Sequence, residues 1–256
     1  MQTFATAKRE LLPSTAAKRI FDLIKPEMAL IESGKRVRPA LLVLANYAVG
    51  GCGNAENVIR LGTVMEMLHT ATLVHDDIID NADTRRSKPS VNARFGNQTA
   101  VLMGDWLYMS AFETSLRERS LEILDILTRL TRKMTEGELI QLTMIGNVEI
   151  TEDEHFDILR RKTAYLFSAC AEIGAILGAS SPDAQTSLRE YGLNLGIAFQ
   201  LTDDLLDLTS TDDALGKAAG ADLLEGKLTL PLIRLVKKEP HIARLLEKIM
   251  LDGVYP

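Results

Sequence analysis

The sequence predicts an all-α protein, a helical bundle, and three observations lead to this prediction. Apolar residues recur at the helical period over most of the chain, and no long stretch alternates apolar and polar residues as a half-buried strand would. Aromatic residues, which favour strands, make up only 5% of the 256 residues. Stretches such as "ELIQLTMI" are apolar on most of their circumference, which is typical of helices inside a helical assembly.

Clusters of turn-forming residues divide the chain into helical stretches. We predict helices over residues 55–80, 98–116, 119–145, 152–179, 184–209 and 228–238. The segment "SSPD" before the fifth stretch predicts a helix start with Ser181 at the N-cap and Pro182 at the first helical position. No Ser/Gly-rich or Pro-rich tract separates these stretches, so we expect residues 1–256 to form a single domain.

Composition excludes several classes of function. The formal net charge is −6, so the chain has no general basic surface of the kind that binds nucleic acid or an anionic membrane. Cys52 and Cys170 are too few for a disulfide framework, which favours a reducing cytoplasm. The N-terminus lacks the apolar region of a signal peptide, and the apolar runs are shorter than the roughly 20 residues that a membrane span needs. We therefore expect a soluble cytoplasmic protein with no transmembrane segment.

An aspartate-rich motif occurs twice. "HDDIID" at residues 75–80 recurs as "TDDLLD" at residues 202–207. In each copy the first and last aspartates are at i and i+4, so they share one face of a helix. One such motif is more often a solvated helix face, but the Ile-Ile and Leu-Leu pairs inside the two copies predict that neither helix is exposed. Like charges placed together in apolar surroundings require cations between them.

Magnesium is the cation that these ligands favour. Sets of carboxylate oxygens select hard ions, and Mg²⁺ takes only one or two protein carboxylates beside waters and substrate phosphates. No histidine lies at a zinc-ligand interval from a cysteine; the four histidines are His69, His75, His155 and His241. We predict that two facing carboxylate pairs, Asp76 with Asp80 and Asp203 with Asp207, hold Mg²⁺ for a phosphorylated ligand.

Local clusters of cationic residues lie near these motifs and beside glycine turns. Each of them alone is more often a surface charge, and only their placement makes them candidate phosphate ligands. The candidates, with one neighbouring threonine, are Lys35, Arg36, Arg38, Arg85, Arg86, Lys162, Thr163, Lys217 and Lys227.

Five segments together resemble a known family. They are "GKRVRP", "HTATLVHDDIIDNADTRRSKPSVN", "FGNQTAVLMGDWL", "RRKTAYLFSACAEIGA" and "AFQLTDDLLDLTSTDDALGKAAGADLLEGKLTLPLI". From about residue 20 to about residue 238 the chain resembles the trans-type isoprenyl (polyprenyl) diphosphate synthases. The resemblance implies an all-helical fold around a deep central cavity, a homodimer, and the Mg²⁺-dependent condensation of isopentenyl diphosphate with an allylic diphosphate. Two apolar stretches, residues 98–116 and "MTEGELIQLTMI", are candidates for the dimer face, although such stretches are more often core.

The resemblance also implies roles for individual residues. Asp76, Asp80, Asp203 and Asp207 would bind Mg²⁺, with Asp77 and Asp204 in support. The residues that resemble the family's allylic diphosphate contacts are Arg85, Lys162, Thr163, Gln200, Lys217 and Lys227. Those that resemble its isopentenyl diphosphate pocket are Gly34, Lys35, Arg38, His69 and Arg86. Catalysis would rest on Asp76, Asp80, Arg85, Lys162, Asp203 and Lys217.

Product length is predicted from the residues one helical turn before Asp76. In short-chain members of the family an aromatic residue near this position forms the floor of the cavity, whereas Ala71 and Thr72 are small. We therefore expect a product longer than C20. Alternatively, Ala71 packs against a neighbouring helix and Met103, Leu107 or Met144 sets the floor.

The sequence departs from the family pattern in a few places. It ends at Pro256, whereas family members continue for several helices that help to close the pocket, so we expect this chain to lack them. Ser33 and Asn81 replace residues that are more often glycine and acidic. Alternative functions are a short-chain (C15 or C20) synthase and a non-catalytic partner subunit of a heteromeric synthase. A terpene cyclase or a head-to-head synthase would not need the isopentenyl diphosphate pocket.

Overall fold

A computed structural model describes residues 35–53, 55–85, 88–209 and 220–255. Its α-helices are α1 Val37–Ala48, α2 Glu56–Ile79, α3 Val91–Phe95, α4 Asn97–Ser115, α5 Leu121–Met144, α6 Glu152–Leu159, α7 Tyr165–Leu177, α8 Pro182–Thr209, α9 Ala221–Leu224, α10 Leu230–Lys238 and α11 Ala243–Asp252. A π-helix, Arg160–Ala164, joins α6 to α7, and 3₁₀ turns lie at Leu116–Glu118 and Pro240–Ile242. The strands β1 Thr84–Arg85 and β2 Lys88–Pro89 pair antiparallel. The all-α prediction is confirmed.

Most predicted helices agree closely with the observed ones. The boundaries of α2, α4, α5, α8 and α10 lie within two residues of those predicted. Ser181 Oγ accepts a hydrogen bond from the Ala184 N–H at 3.3 Å, which confirms the predicted start of α8. The stretch 152–179 differs, because the π-helix interrupts it. Helices α1, α3, α9 and α11 and the two-residue strands were not predicted, since most of them are too short for a periodic pattern.

Residue contacts divide the described chain into two compact units. The first unit contains the described residues up to Arg129 together with Leu166–Tyr191. In this unit α2 packs against α1 and α4. The buried side chains of α2 include Leu61, Val64 and Leu68, each with 0% of its surface exposed. Each such side chain stabilises the fold by about 1.5–3 kcal/mol through burial of apolar surface.

A glycine allows α1 and α7 of the first unit to approach closely. A Cβ atom on Gly174 would lie 2.9 Å from the Ala45 Cβ and 3.1 Å from the Asn46 backbone nitrogen. The buried Asn46 amide donates a hydrogen bond of 3.1 Å to the Gly174 carbonyl. The two helices therefore contact each other through backbone atoms as well as side chains.

The second unit contains Leu130–Tyr165 and the described residues from Gly192 onward. Its buried apolar cluster connects α6, α10 and α11 and consists of Ile150, Ile158, Leu223, Leu228, Ile233, Leu246 and Ile249. At the surface, Arg234 of α10 pairs with Glu152 of α6 at 2.9 Å. The apolar cluster is the larger contribution to stability, because exposed ion pairs add at most about 1 kcal/mol.

Helix α6 begins with a reciprocal cap. Thr151 Oγ1 accepts a hydrogen bond from the Glu154 N–H, and the Thr151 N–H donates to the Glu154 carboxylate at 2.8 Å. The hydrogen bond from the Thr151 backbone lowers the pKa of Glu154. Both contacts satisfy N–H groups that have no partner within the helix, so they fix where α6 begins.

Apolar side chains remain exposed on α4 and α11. Leu102 and Met109 of α4 are 68% and 63% exposed, and Leu251 of α11 is 84% exposed. Among the described residues, no helix combines the length and the hydropathy that a membrane crossing requires.

We predict that the side chain of Thr151 stabilises the second unit. Thr151→Ala removes the cap, and we expect it to lower the free energy of unfolding by about 1 kcal/mol. Thr151→Ser keeps the hydroxyl and should behave like the unmodified chain. Urea unfolding followed by circular dichroism measures both; equal stability of the alanine and serine variants would show that the cap contributes nothing.

Candidate active site

The first aspartate motif lies at the C-terminal end of α2. The Asp80 N–H donates to the Asp76 carbonyl at 2.8 Å, so the helical geometry that brings these two residues together extends through the whole motif. Asp76 and Asp80 are both half-buried, whereas Asp77 is only 3% exposed. The predicted pair therefore reaches the surface, and the middle aspartate points into the protein.

Arg85 compensates the buried charge of Asp77. Its Nε donates to Asp77 Oδ1 at 2.7 Å, and a second guanidinium nitrogen lies 2.6 Å from the same oxygen. Arg85 is in position because β1 and β2 pair with Arg85 opposite Lys88. The arginine that follows the acidic motif thus has a structural role, because a buried carboxylate needs a cation close to it.

The turn after the first motif is held by side chains as well as by backbone. Asn81 has a φ of 52°, a left-handed conformation that asparagine tolerates better than most residues. Ser90 Oγ donates to the Ala82 carbonyl at 2.6 Å, and the Asn92 amide donates to the same carbonyl at 3.1 Å. Asn81, one of the departures from the family pattern, thus fits the backbone that it occupies.

Helix α4 packs against α2, the helix that carries the first motif. Gly104 leaves room for the imidazole of His75, which would collide with a side chain at that position. The His75 ring stacks on Tyr108, with 5.9 Å between centroids, and its Nε2 lies 3.1 Å from the Val101 carbonyl oxygen. Burial and the neighbouring charge of Asp76 raise the pKa of Tyr108, so this hydroxyl stays protonated.

The second motif, near the end of α8, does not have the predicted burial pattern. Asp204 and Asp207 are 4% and 2% exposed, whereas Leu205 and Leu206 are 50% and 45% exposed. Ile79 of the first motif is also exposed, at 38%. The prediction that neither helix is exposed agrees with α2, which has many buried residues, but the leucine pair of the second motif faces outward. Residues at i and i+3 share a face, so burying Asp204 and Asp207 turns the leucines toward solvent.

Asp207 is held by backbone groups of the segment that begins at Gly220. The Asp222 N–H donates to Asp207 Oδ2 at 3.3 Å, and the Gly220 N–H donates to the Asp207 carbonyl at 2.7 Å. The Tyr255 hydroxyl donates to the Gly220 carbonyl at 2.8 Å. Burial and then the charges of Asp207 and Asp222 raise the pKa of Tyr255.

Three predicted residues of the second unit form one hydrogen-bonded chain. Thr163 Oγ1 donates to Gln200 Oε1 at 2.9 Å, and Gln200 Nε2 donates to Asp204 Oδ1, also at 2.9 Å. The other carboxylate oxygen, Asp204 Oδ2, lies 3.4 Å from Nε2 of His155, close enough for an ion pair but without hydrogen-bond geometry. His155 was not predicted, although a histidine three residues before the buried Ile158 on an amphipathic helix was a usable signal.

Lys162 lies in the π-helix, a type of element that is frequent at functional sites. Its ammonium contacts the Glu138 carboxylate at 2.5 Å and donates to the Gln141 side chain. Gly137 of α5 makes this approach possible, since a Cβ there would lie 2.6 Å from the Arg161 Cβ and 3.2 Å from the Lys162 nitrogen. A single glycine thus lets α5 contact the backbone that carries Lys162 and Thr163.

The remaining cationic candidates are partly described. Arg38 lies 3.0 Å from His69 Nε2 and 5.0 Å from the centre of the Phe167 ring, which brings these two predicted residues together. Lys35 is exposed, and Lys227 pairs with Glu225 at 2.8 Å. Gly34, Arg86 and Lys217 lie outside the described residues.

The predicted product-length residues differ in exposure. Ala71 and Leu68 of α2 are completely buried, whereas Thr72 is half-buried and donates its hydroxyl hydrogen to the His69 carbonyl at 2.7 Å. Of the alternative floor residues, Met103 and Leu107 are buried, with 6% and 2% exposed. Ala71, Thr72, Met103 and Leu107 therefore lie in or beside the core of the first unit, whereas Met144 is partly buried against the apolar cluster of the second unit.

The carboxylates fit magnesium by the chemistry of their donors. Asp76 and Asp80 offer only oxygen atoms, and they approach each other on one turn of helix. Within the described part of the chain, no group of three or more His, Cys, Asp or Glu side chains is arranged to hold a metal by itself. An ion that takes one or two protein carboxylates and completes its shell with water and phosphate suits such a pair.

Comparison with known proteins identifies relatives along most of the chain. Octaprenyl diphosphate synthase from Escherichia coli (strain K12) is 44% identical over 200 residues, which cover 78% of this chain and 61% of that protein. Geranylgeranyl diphosphate synthase from Methanosarcina mazei is 39% identical over 235 residues, covering 90% of this chain and 71% of that protein. The chain thus spans about three fifths of the length of the first relative.

A solved structure and a family model agree with these relatives. The polyprenyl synthase from Caulobacter crescentus CB15, complexed with calcium and isoprenyl diphosphate, matches with a TM-score of 0.88 and 34% identity, covering 100% of this chain and 77% of that one. The family model of the polyprenyl synthetases matches residues 23–253. The chain therefore belongs to the polyprenyl synthetase family.

Proposed function

We propose that this chain is a Mg²⁺-dependent prenyltransferase that condenses isopentenyl diphosphate with an allylic diphosphate to make a longer trans-polyprenyl diphosphate. The observation that carries the proposal is a repeated arrangement. In each motif the middle aspartate is buried and receives a hydrogen bond from the protein, Asp77 from Arg85 and Asp204 from Gln200. The supporting aspartates thus have structural partners in both motifs, and the resemblance assigns cation binding to the outer pairs, of which Asp207 also accepts a hydrogen bond from the Asp222 N–H.

The outer aspartates would hold the metal in this proposal. Asp76, Asp80, Asp203 and Asp207 would be the ligands, and Mg²⁺ held there would supply Lewis-acid stabilisation of the leaving diphosphate. The Caulobacter relative, whose structure contains calcium and isoprenyl diphosphate, supports a divalent cation beside such a ligand.

The protein's own side chains bind and orient the two substrates. Cationic, hydroxyl and amide groups stabilise negative charge on the allylic diphosphate while its C–O bond breaks toward a carbocation; the proposed residues are Arg85, Lys162, Thr163, Gln200, Lys217 and Lys227. Isopentenyl diphosphate is held by Gly34, Lys35, Arg38, His69 and Arg86, so that its double bond attacks the cation. The departing diphosphate then accepts a proton from the new cation, which leaves a chain longer by five carbons, and apolar surroundings would exclude the water that could trap the cation.

Lys162 already has partners in the structure, so a phosphate oxygen must either replace them or bind beside them. Its ammonium contacts Glu138 at 2.5 Å and also the Gln141 side chain. Because an ammonium has three donors, Lys162 retains capacity for a phosphate oxygen while it is oriented by these residues. Glu138 and Gln141 are therefore proposed to orient this lysine.

Incubation with radiolabelled isopentenyl diphosphate, Mg²⁺ and separate C10, C15 and C20 allylic diphosphates tests the proposal. We expect Mg²⁺-dependent incorporation, and chromatography of the dephosphorylated products gives their length. A folded chain that binds Mg²⁺ and diphosphate but incorporates no label would instead support the alternative of a non-catalytic partner subunit.

Replacing one outer aspartate tests the metal assignment. We expect Asp76→Asn to lower kcat by at least about a hundredfold, since it removes a charged ligand from the group that stabilises the leaving diphosphate. Asp83→Asn, at an exposed aspartate just beyond the motif, is the matched control and should leave kcat nearly unchanged. Similar kcat values for the two variants would refute the role of Asp76.

Product length is proposed to exceed C20 because Ala71 and Thr72 are small. The relatives do not decide this point, since their names include both geranylgeranyl and octaprenyl diphosphate synthases. Complete burial of Ala71 fits either a tunnel wall or a packed helix contact. A short-chain (C15 or C20) synthase is therefore the alternative that the product assay must distinguish.

An aromatic residue at Ala71 tests the floor of the tunnel. We expect Ala71→Phe to shorten the product with little change in stability, because the ring would enter space otherwise filled by the growing chain. If Ala71 packs in a closed core, the ring should lower the free energy of unfolding by about 1–3 kcal/mol. Thr72→Phe repeats the test at the half-buried neighbour, and unchanged product lengths in both variants would contradict the floor assignment.

We also propose a homodimer in the cytoplasm. Exposed Leu102 and Met109 are seven residues apart on α4, so they share a helix face and offer apolar surface to a second copy. With only two cysteines in the chain, one of them buried, the composition suits a reducing compartment.

A further inference from the structure

A buried polar chain in the second unit ends at a residue to which the proposed mechanism gives no role. Thr163, Gln200 and Asp204 are connected by two hydrogen bonds of 2.9 Å, and His155 Nε2 lies 3.4 Å beyond, near Asp204 Oδ2. His155 is 9% exposed and Asp204 is 4% exposed. The chain connects α6, the π-helix and α8; His155, Thr163 and Asp204 are buried, and Gln200 between them is half-buried.

We infer that His155 is a positioning residue for the second aspartate motif. It contacts Oδ2 of Asp204 and so fixes the rotation of α8 about its axis, which in turn sets the directions of Asp203 and Asp207. This inference rests on the proposed function, because it concerns how the second carboxylate pair is presented to a metal-bound diphosphate. His155 itself would touch neither the metal nor the substrate.

The first argument concerns the second carboxylate oxygen of Asp204. An ionised carboxylate accepts several hydrogen bonds, and leaving a buried oxygen without one is costly. Gln200 donates to Oδ1 only, and Oδ2 is buried with no hydrogen-bond partner. His155 Nε2 is also buried with no hydrogen-bond partner. A small movement that closes the 3.4 Å gap lets Nε2 and Oδ2 form a hydrogen bond, which gives both atoms a partner. Such contacts are often long before the ligand binds.

The second argument is that His155 is firmly placed. It lies in the first half of α6, just after the reciprocal cap of Thr151 and Glu154. Ile158 and Leu159, three and four positions later, are buried and anchor the same face of the helix. The ring also meets Phe156 edge-on, with 6.1 Å between centroids. A side chain held in this way can fix a neighbouring carboxylate.

The third argument is that Asp204 is held from two directions. Because Gln200 Nε2 donates to Asp204, its Oε1 must accept from Thr163, and this fixes the orientation of the amide. The π-helix therefore restrains one oxygen of Asp204, and α6 restrains the other through His155. Asp203 and Asp207 flank Asp204 on the same helix, so their directions depend on this restraint.

Two substitutions at His155 separate positioning from packing. His155→Phe keeps a ring but removes the nitrogen, whereas His155→Gln keeps an N–H donor at a similar reach. His241→Phe is the matched control, since His241 belongs to the same unit and is exposed. Calorimetric titration of each full chain with inorganic diphosphate in the presence of Mg²⁺ measures binding, and thermal unfolding measures stability.

We expect His155→Phe to weaken binding of inorganic diphosphate with Mg²⁺ about tenfold, and His155→Gln to restore it to within about twofold of the unmodified chain. The His241→Phe control should bind as the unmodified chain does. Unchanged binding by the phenylalanine variant, or equally weak binding by both His155 variants, would overturn the inference. If the phenylalanine variant does not fold, His155→Asn, whose amide is too short to reach Asp204, replaces it.

A double-mutant cycle keeps this inference separate from the proposed function. Unfolding of His155→Phe, Asp204→Asn and the double variant reports whether the two side chains interact, independently of any ligand. Additive effects on stability would overturn the inference even if the chain is an active synthase. If the unmodified chain binds no diphosphate, the proposed function fails; non-additive effects would then confirm the contact alone and overturn its role in positioning metal ligands.

Discussion

Compensation of buried carboxylate charge is the constraint on which the structure around both motifs depends. Asp77, Asp204 and Asp207 are each at most 4% exposed. A carboxylate in such surroundings requires donors or a cation, because its lost hydration costs several kcal/mol. The chain supplies Arg85 to Asp77, Gln200 to Asp204 and the Asp222 N–H to Asp207. The β1–β2 strand pair, the hydrogen-bonded chain of Thr163, Gln200 and Asp204, and the segment that begins at Gly220 all serve this requirement.

These contacts also give the aspartates within each motif different structural roles. The buried middle aspartates orient the end of a helix. Of the outer aspartates, Asp76 and Asp80 are half-buried and Asp203 is exposed, whereas Asp207 is buried and accepts a hydrogen bond from the Asp222 N–H. Orientation of ligands by a surrounding layer of hydrogen bonds is a general property of metal sites. The same logic extends to Lys162, which is oriented by Glu138 and Gln141 in the second unit. The function proposed for this chain therefore depends on residues that need not touch a substrate.

Close backbone approach is the second requirement, and glycine meets it. Gly104 leaves space for His75 behind the first motif, and Gly137 lets α5 contact the π-helix. Gly174 lets α7 approach α1 in the first unit. Each position is helical, where alanine would be preferred by intrinsic propensity, so packing has overridden propensity at these sites.

The amino-acid sequence by itself determined the helical class, most helix boundaries and the two aspartate motifs, because periodicity and repeated spacing are local properties. It also identified Arg85, Thr163 and Gln200 as residues of interest. Only the tertiary structure decided which side of each motif is buried, that Arg85 pairs with Asp77, and that His155 approaches Asp204. The tertiary structure also decided that Leu205 and Leu206 are exposed, because Asp204 and Asp207 of the same helix are buried. Such pairings join residues as far apart as 49 positions in the chain, from His155 to Asp204, and no local pattern contains them.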